Sequence, residues 1–366
     1  MTRSIYIASL EGHSGKSLVA LGLVHALVRQ VGTIGIFRPV IKSRTEEDHV
    51  VKLLLAHDGI DMTYDECVGV TYDEIHRHTE TALATIVERY RAIEQACDAV
   101  VIIGSDYTDL ASPTELTFNA RVAANLGAPV LLVISGFERT ASEIGQITNI
   151  ATAEIEQSFA ASIGVLVNRC DPDQISDVRE WLRGLDIPGW ALPETPLLSA
   201  PVVADLMVAL QGELLLGDES LLSREAEDTL LCGMNAEHVL ERLSDGQLCI
   251  VAGDRPEILI TVAAAHASDG FPSLAGVALN GGYQPSELIT DLVKGLGHSL
   301  PIFVTPYDSY DTARLIASTR GVLGRGTQRK AETAIQVFEQ NIDSKSLLQV
   351  LDVPRSEVVT PLMFEA

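Results

Sequence analysis

Short apolar runs alternate along the chain with stretches in which apolar side chains return every three or four positions. The runs "SIYIAS", "GTIGIFRPV", "DAVVIIG", "APVLLVIS" and "SIGVLVN" have the length and continuous apolar character of strands buried on both faces. Between them the helical period predicts helices from about Lys16 to Gln30, through "HVVKLLLAH", "TETALATIVERYRAIEQA" and "PTELTFNARVAANLG", and from about Thr140 to Ser158. This β-α-β-α order predicts a doubly wound parallel sheet, with ligands at the carboxyl ends of its strands. The proline-rich stretch "GWALPETPLLSAPVVADLMVAL" reads as the exit from that domain. A second alternating series follows, from "GELLLG" and "GQLCIVAG" to "LPIFVTP" and "DTARLIAST", and predicts a smaller α/β unit. The expected organisation is therefore an α/β domain over residues 1–210, a second over 213–330, and a helix and linker over 331–366.

The first strand runs straight into "SLEGHSGKSL". Gly15-Lys16-Ser17 is the closing half of a phosphate-binding loop, where backbone N–H groups and a lysine cradle phosphates and a hydroxyl reaches Mg²⁺. The helix that follows favours an anion at the same place. The opening half is shifted, with Leu10 where the usual spacing wants glycine and a spare glycine at Gly12. In this reading Lys16 neutralises the β and γ phosphates, Ser17 is a Mg²⁺ ligand, and His13 lies inside the loop, where its protonation would tune an anion site.

Composition narrows the function classes. Fifty acidic against 26 basic residues give a formal net charge of −24, which repels nucleic acid and anionic lipid. The five cysteines contain no C-x-x-C pair and fit reduced thiols in a cytoplasmic setting. No apolar run is long enough to span a membrane, and the first residues lack the apolar segment of a signal peptide. His76 and His78 read as surface residues, and no nucleophile-base-acid constellation stands out.

The acid Glu11, set in a shifted loop, resembles the dethiobiotin synthetases and their relatives. "FRPVIKS" is similar to that family's lysine-proline-valine segment, with Arg38 in place of the lysine and Lys42 a second candidate for phosphate or substrate. The resemblance implies a nucleotide site of Glu11, Gly12, Gly15, Lys16, Ser17 and Arg38, with Asn168 at the position that reads adenine. It places Asp48 at a metal-binding aspartate. Where the family carries a metal-binding glutamate this chain has Ile103, and Asp106 is the nearest substitute.

The second unit, with "GDR" and "LNGG", resembles the DRTGG domain, and "TPLMFE" is similar to the stretch that opens an acetyltransferase catalytic domain. Together these features resemble the N-terminal part of a long-form bacterial phosphate acetyltransferase. The resemblance implies an enzyme that, when complete, exchanges acetyl between acetyl phosphate and coenzyme A as a cytoplasmic homo-oligomer, with no cofactor needed for the transfer. It implies a regulatory segment that is not catalytic alone, with weak binding of ATP or NADH and Mg²⁺ in the first domain. From the residues themselves, Asp254 can cap the helix that starts at Pro256, Arg255 can offer a fork to an anion or a partner carboxylate, and Gly281-Gly282 permits close backbone approach at an interface. Two other readings stay open: a stand-alone ATP-dependent ligase with Lys16 and Ser17 catalytic, and a nucleotide-independent scaffold.

Overall fold

Seven strands, all paired in parallel, build the first sheet: β1 (Arg3–Ala8), β2 (Ile34–Ile41), β3 (Val68–Thr71), β4 (Ala99–Ile103), β5 (Val130–Ser135), β6 (Ser162–Cys170) and β7 (Gly189–Pro193). Their order is β3-β2-β4-β1-β5-β6-β7. The computed structural model describes residues 3–105, 115–297, 299–325, 328–343, 346–347 and 349. Every residue of β2, β4 and β5 is buried, as their continuous apolar character requires. The helices that alternate with the strands are α1 (Lys16–Val28), α2 (His49–Leu55), α3 (Thr79–Ala96), α4 (Glu115–Leu126), α5 (Ala141–Gln157) and α6 (Ile175–Leu182).

Helix α1 is apolar nearly all round, with the run from Leu18 to Val24 buried, which marks a helix enclosed by other elements rather than laid on a surface. Part of its cover comes from far along the chain. Among the described residues, a compact unit comprises those up to Glu194 together with those from Glu332 onward, so the helix α10 described below returns to it. A Cβ on Gly22 would lie 2.1 Å from Cγ of Phe338 in that returning segment, so only glycine lets the two approach.

The second unit, Thr195–Ala331, holds a five-stranded sheet of β8 (Glu213–Leu216), β9 (Asp228–Leu231), β10 (Gln247–Ala252), β11 (Gly276–Asn280) and β12 (Ile302–Val304). The order is β8-β12-β11-β10-β9, with only β8 antiparallel to its neighbour. Helices α7 (Pro256–His266), α8 (Glu287–Gly295) and α9 (Ser309–Ser318) follow its strands, and α10 (Gln328–Asn341) leads out.

The sequence pattern missed three strands. β3 and β9 have four residues each, too short to show a period, and β7 lies inside the segment read as an exit. β7 is an edge strand, where a proline such as Pro193 removes no ladder bond from a central position.

Candidate functional site: the phosphate loop

The loop between β1 and α1 has the backbone of an anion cradle. Gly15 sits in the left-handed region at φ 84° and caps α1, and His13, with φ 57°, shares that conformation. A Cβ on Gly15 would fall 2.0 Å from Nδ2 of Asn168, so glycine is required twice over. Asn168, at the end of β6, donates from that Nδ2 to the Ser14 carbonyl at 3.0 Å. The residue that the resemblance assigned to adenine therefore braces the loop, and it is buried.

Lys16 is buried too, and its Nζ donates to the Ser105 carbonyl at 2.9 Å. Ser105 is fixed in turn by α4. Its N–H donates to Asn119 Oδ1 at 3.0 Å, and the Tyr6 hydroxyl of β1 donates to the same oxygen at 2.8 Å. The hydroxyls of Ser14 and Ser105 are both buried without a hydrogen-bond partner. Two orphan hydroxyls on the two segments that flank the lysine contact are a signature of a place built for something polar. Neither serine was singled out in the sequence; the signal was available in the loop position of Ser14 and the strand-end position of Ser105.

Glu11, Arg38 and Asp48 are held by partners within the chain. Glu11 pairs through both carboxylate oxygens with the Arg139 guanidinium, whose second contact is 2.8 Å long. Arg139 Nη1 also donates to the Ser135 carbonyl at 3.0 Å, which ties the loop to the end of β5. The hydrogen bond to Glu11 raises the Arg139 pKa above its ordinary value. Gly12 is partly exposed, with open space where a Cβ would stand. Lys42 is exposed.

Arg38 is buried within β2, with Nε 3.2 Å from Asp48 Oδ2 and Nη1 donating to the carbonyls of Ile103 (3.3 Å) and Gly104. It holds the end of β4 and meets protein groups at each of these contacts. Asp48 Oδ1 accepts from the N–H groups of Val50 (2.9 Å) and Val51 (3.1 Å) as the N-cap of α2.

A Mg²⁺ site fits these residues poorly. Both Asp48 oxygens are engaged by the helix cap and Arg38, Ile103 offers only a buried apolar side chain, and Ser17 is half-buried. Asp106 lies outside the described residues. Among the described residues no group of three His, Cys, Asp or Glu side chains is placed to hold a metal ion.

In the second unit the structure corrects one expectation outright: α7 starts after Arg255 at its N-cap with no side-chain cap, so Asp254 does not cap it. Arg255 turns its fork inward. Nε meets Glu257 at 3.0 Å, and Nη1 donates to the carbonyls of Cys232, Gly233 and Met234 at 3.5, 3.2 and 3.2 Å. Gly281 and Gly282 have φ of 87° and 73°, and their N–H groups donate to the carbonyls of Tyr307 and Thr305. They close a turn between the ends of β11 and β12. The "TPLMFE" stretch lies outside the described residues. No described helix is long and apolar enough to cross a membrane.

Comparison with known proteins follows this division. Residues 3–211 match the AAA domain model and residues 205–319 the DRTGG domain model. The phosphate acetyltransferase of Nitratidesulfovibrio vulgaris is 29% identical, over 100% of this chain and 54% of that protein. That of a Synechocystis species is 28% identical, again over 100% and 54%. The chain thus spans about half the length of these curated relatives. Among solved structures, the septum site-determining protein MinD with Mg-ADP from Pyrococcus horikoshii is 18% identical, covering 54% of this chain and 84% of its own, at a TM-score of 0.34. With the AAA model matching more than half of its residues and the phosphate loop set between its first strand and helix, the chain belongs to the AAA domain family and carries a DRTGG domain behind it.

Proposed function

We propose that this chain is the N-terminal regulatory and assembly portion of a phosphate acetyltransferase, the complete enzyme converting acetyl-CoA and phosphate to acetyl phosphate and CoA. The observation that carries the reading is the end-to-end match of the chain to phosphate acetyltransferases about half of whose length it accounts for. The AAA domain, over about residues 1–210, and the DRTGG domain, over about 213–330, act on activity and on assembly into a homo-oligomer in the cytoplasm, and the residues from 331 lead into the catalytic part. The test is an acetyl-transfer assay on the purified chain with acetyl phosphate and CoA. No turnover is expected; turnover abolished by a point substitution within residues 3–325 overturns the reading.

Within that role the phosphate loop is an anion site of modest affinity that works without a metal. Lys16 supplies the charge, and Ser14, Ser105 and the loop amides the hydrogen bonds; among the described residues Mg²⁺ has no ready set of ligands. Calorimetric titration with ATP, NADH and inorganic phosphate, with and without Mg²⁺, should show weak binding that falls on Lys16→Ala and ignores the metal. Tight, Mg²⁺-dependent binding followed by hydrolysis would instead favour the ATP-dependent ligase.

A further inference from the structure

At the far end of α1 from the phosphate loop, two histidines face one another. His25 Nδ1 of α1 and His57 Nε2, in the turn after α2, are 3.0 Å apart, their rings edge to face. Their protons can be placed from the surrounding hydrogen bonds. The Gly59 N–H donates to His57 Nδ1 at 3.1 Å, so this nitrogen is an acceptor and the neutral ring carries its proton on Nε2. His57 therefore donates to His25 Nδ1, and His25 carries its own proton on Nε2. That last nitrogen is buried and lies 3.3 Å from Glu339 Oε1 of α10, within ion-pair reach but out of line for a hydrogen bond. Glu339 is itself held by Arg29, one turn further along α1, at 2.8 Å.

In this neutral arrangement there is no ring nitrogen that can accept a proton without breaking a bond. A proton on His57 Nδ1 collides with the Gly59 N–H. A proton on His25 Nδ1 opposes the proton on His57 Nε2, unless His57 shifts its own to Nδ1 and loses Gly59. An added proton has one favourable consequence: it places a full charge on the His25 ring beside the Glu339 carboxylate. We propose that the His25–His57 pair is a proton-operated switch that transfers α1's contact from the 57–60 turn to α10. At neutral pH the turn is fastened to α1 and the Glu339 contact is weak; on acidification the inter-ring bond opens and His25 and Glu339 close as an ion pair.

The charged groups on the surrounding elements act in both directions. On α1, Arg29 already draws Glu339 and repels an imidazolium; on the turn, Asp58 favours a charged His57, while burial and the neighbouring His25 hold its pKa below the ordinary value. On α10 the facing charge is Glu339. With the folded pKa of His57 depressed, the unfolded chain binds more protons just below pH 6.5, so the stability held by the neutral pair is lost as pH falls through that window.

The test uses the whole chain. Long-range ¹⁵N–¹H spectra of the histidine rings at pH 8 should show both His25 and His57 as the Nε2–H tautomer; an Nδ1–H tautomer at His57 overturns the assignment without any variant. Hydrogen exchange corrected for intrinsic rates, run from pH 7.5 to 5.5, should show residues 57–60 losing protection by about tenfold for each unit below the titration midpoint while 335–341 keep or gain it. In His25→Gln the pH response of 335–341 should vanish, while 57–60 still respond to the proton on His57 itself. Wild-type protection at 57–60 that is flat across pH, a loss at 335–341 on acidification, or a response at 335–341 that is unchanged in His25→Gln refutes the switch.

Discussion

Arg38 offers the sharpest test of how the loop end of the sheet is held. The resemblance directs its charge at phosphate, whereas the structure places it between Asp48 and the last carbonyls of β4, with both side chains of the pair buried. Arg38→Met keeps most of the volume and removes the charge. Asp48 then stays buried as an anion that has lost its Arg38 contact, and the Ile103 and Gly104 carbonyls lose a donor. Removing one member of a buried ion pair costs about 3–5 kcal/mol, a large share of the roughly 5–15 kcal/mol that holds a typical domain folded. With a urea m-value of about 2 kcal/mol/M, the midpoint of unfolding followed by circular dichroism should fall by about 2 M. Asp48→Asn added to Arg38→Met removes the stranded charge and keeps the cap oxygen, and should restore about half of the loss. A single-variant cost below about 1 kcal/mol, with no recovery in the double variant and a loss of phosphate binding instead, would show that Arg38 faces ligand and that the reasoning is wrong.

Other consequences are as direct. Burial brings the Lys330 pKa down to about 8, against the pull of Glu225 and Asp205, so the unfolded chain binds more protons between about pH 8 and 10.5. The stability contributed by this residue therefore rises with pH in that window, by up to about 3 kcal/mol, and Lys330→Met should lack the rise in pH-dependent denaturation. Gly22→Ala forces a Cβ into the Phe338 ring and should cost about 1–3 kcal/mol and open residues 332–343 to limited proteolysis, with Phe338→Ala relieving part of it. Burial pushes the thiols of Cys67 and Cys170 up to about 12, so mass-spectrometric mapping after iodoacetamide treatment at pH 8 should find both unlabelled in the native chain.

Much of the fold was legible because strands buried on both faces advertise themselves as unbroken apolar runs, and β1, β2, β4, β5 and β6 all do. β3 and β9 were not, since four residues against a single neighbour need little hydrophobicity of their own. At the site, Gly15-Lys16-Ser17 could be read because strand, loop and helix are contiguous. The partner of Glu11 could not: Arg139 is 128 residues away and meets it only because β1 and β5 are neighbours in the sheet. Asp48 looked like a metal ligand by position and serves as a helix cap, a role that depends on where α2 begins. Arg255 carried the sign that an interface wants, yet three carbonyls of its own chain lie within reach.

The return of α10 to the first unit makes the second unit an insertion within the first. During synthesis the ribosome delivers all seven strands of the first sheet well before it delivers Phe338, so the apolar flank of α1 at Gly22 stays bare while the whole of Thr195–Ala331 is being made. The inserted unit can complete itself as it emerges, because its strands and helices are contiguous. The first unit is finished only afterwards, which makes premature chain release or cleavage near residue 331 damaging to the part already built.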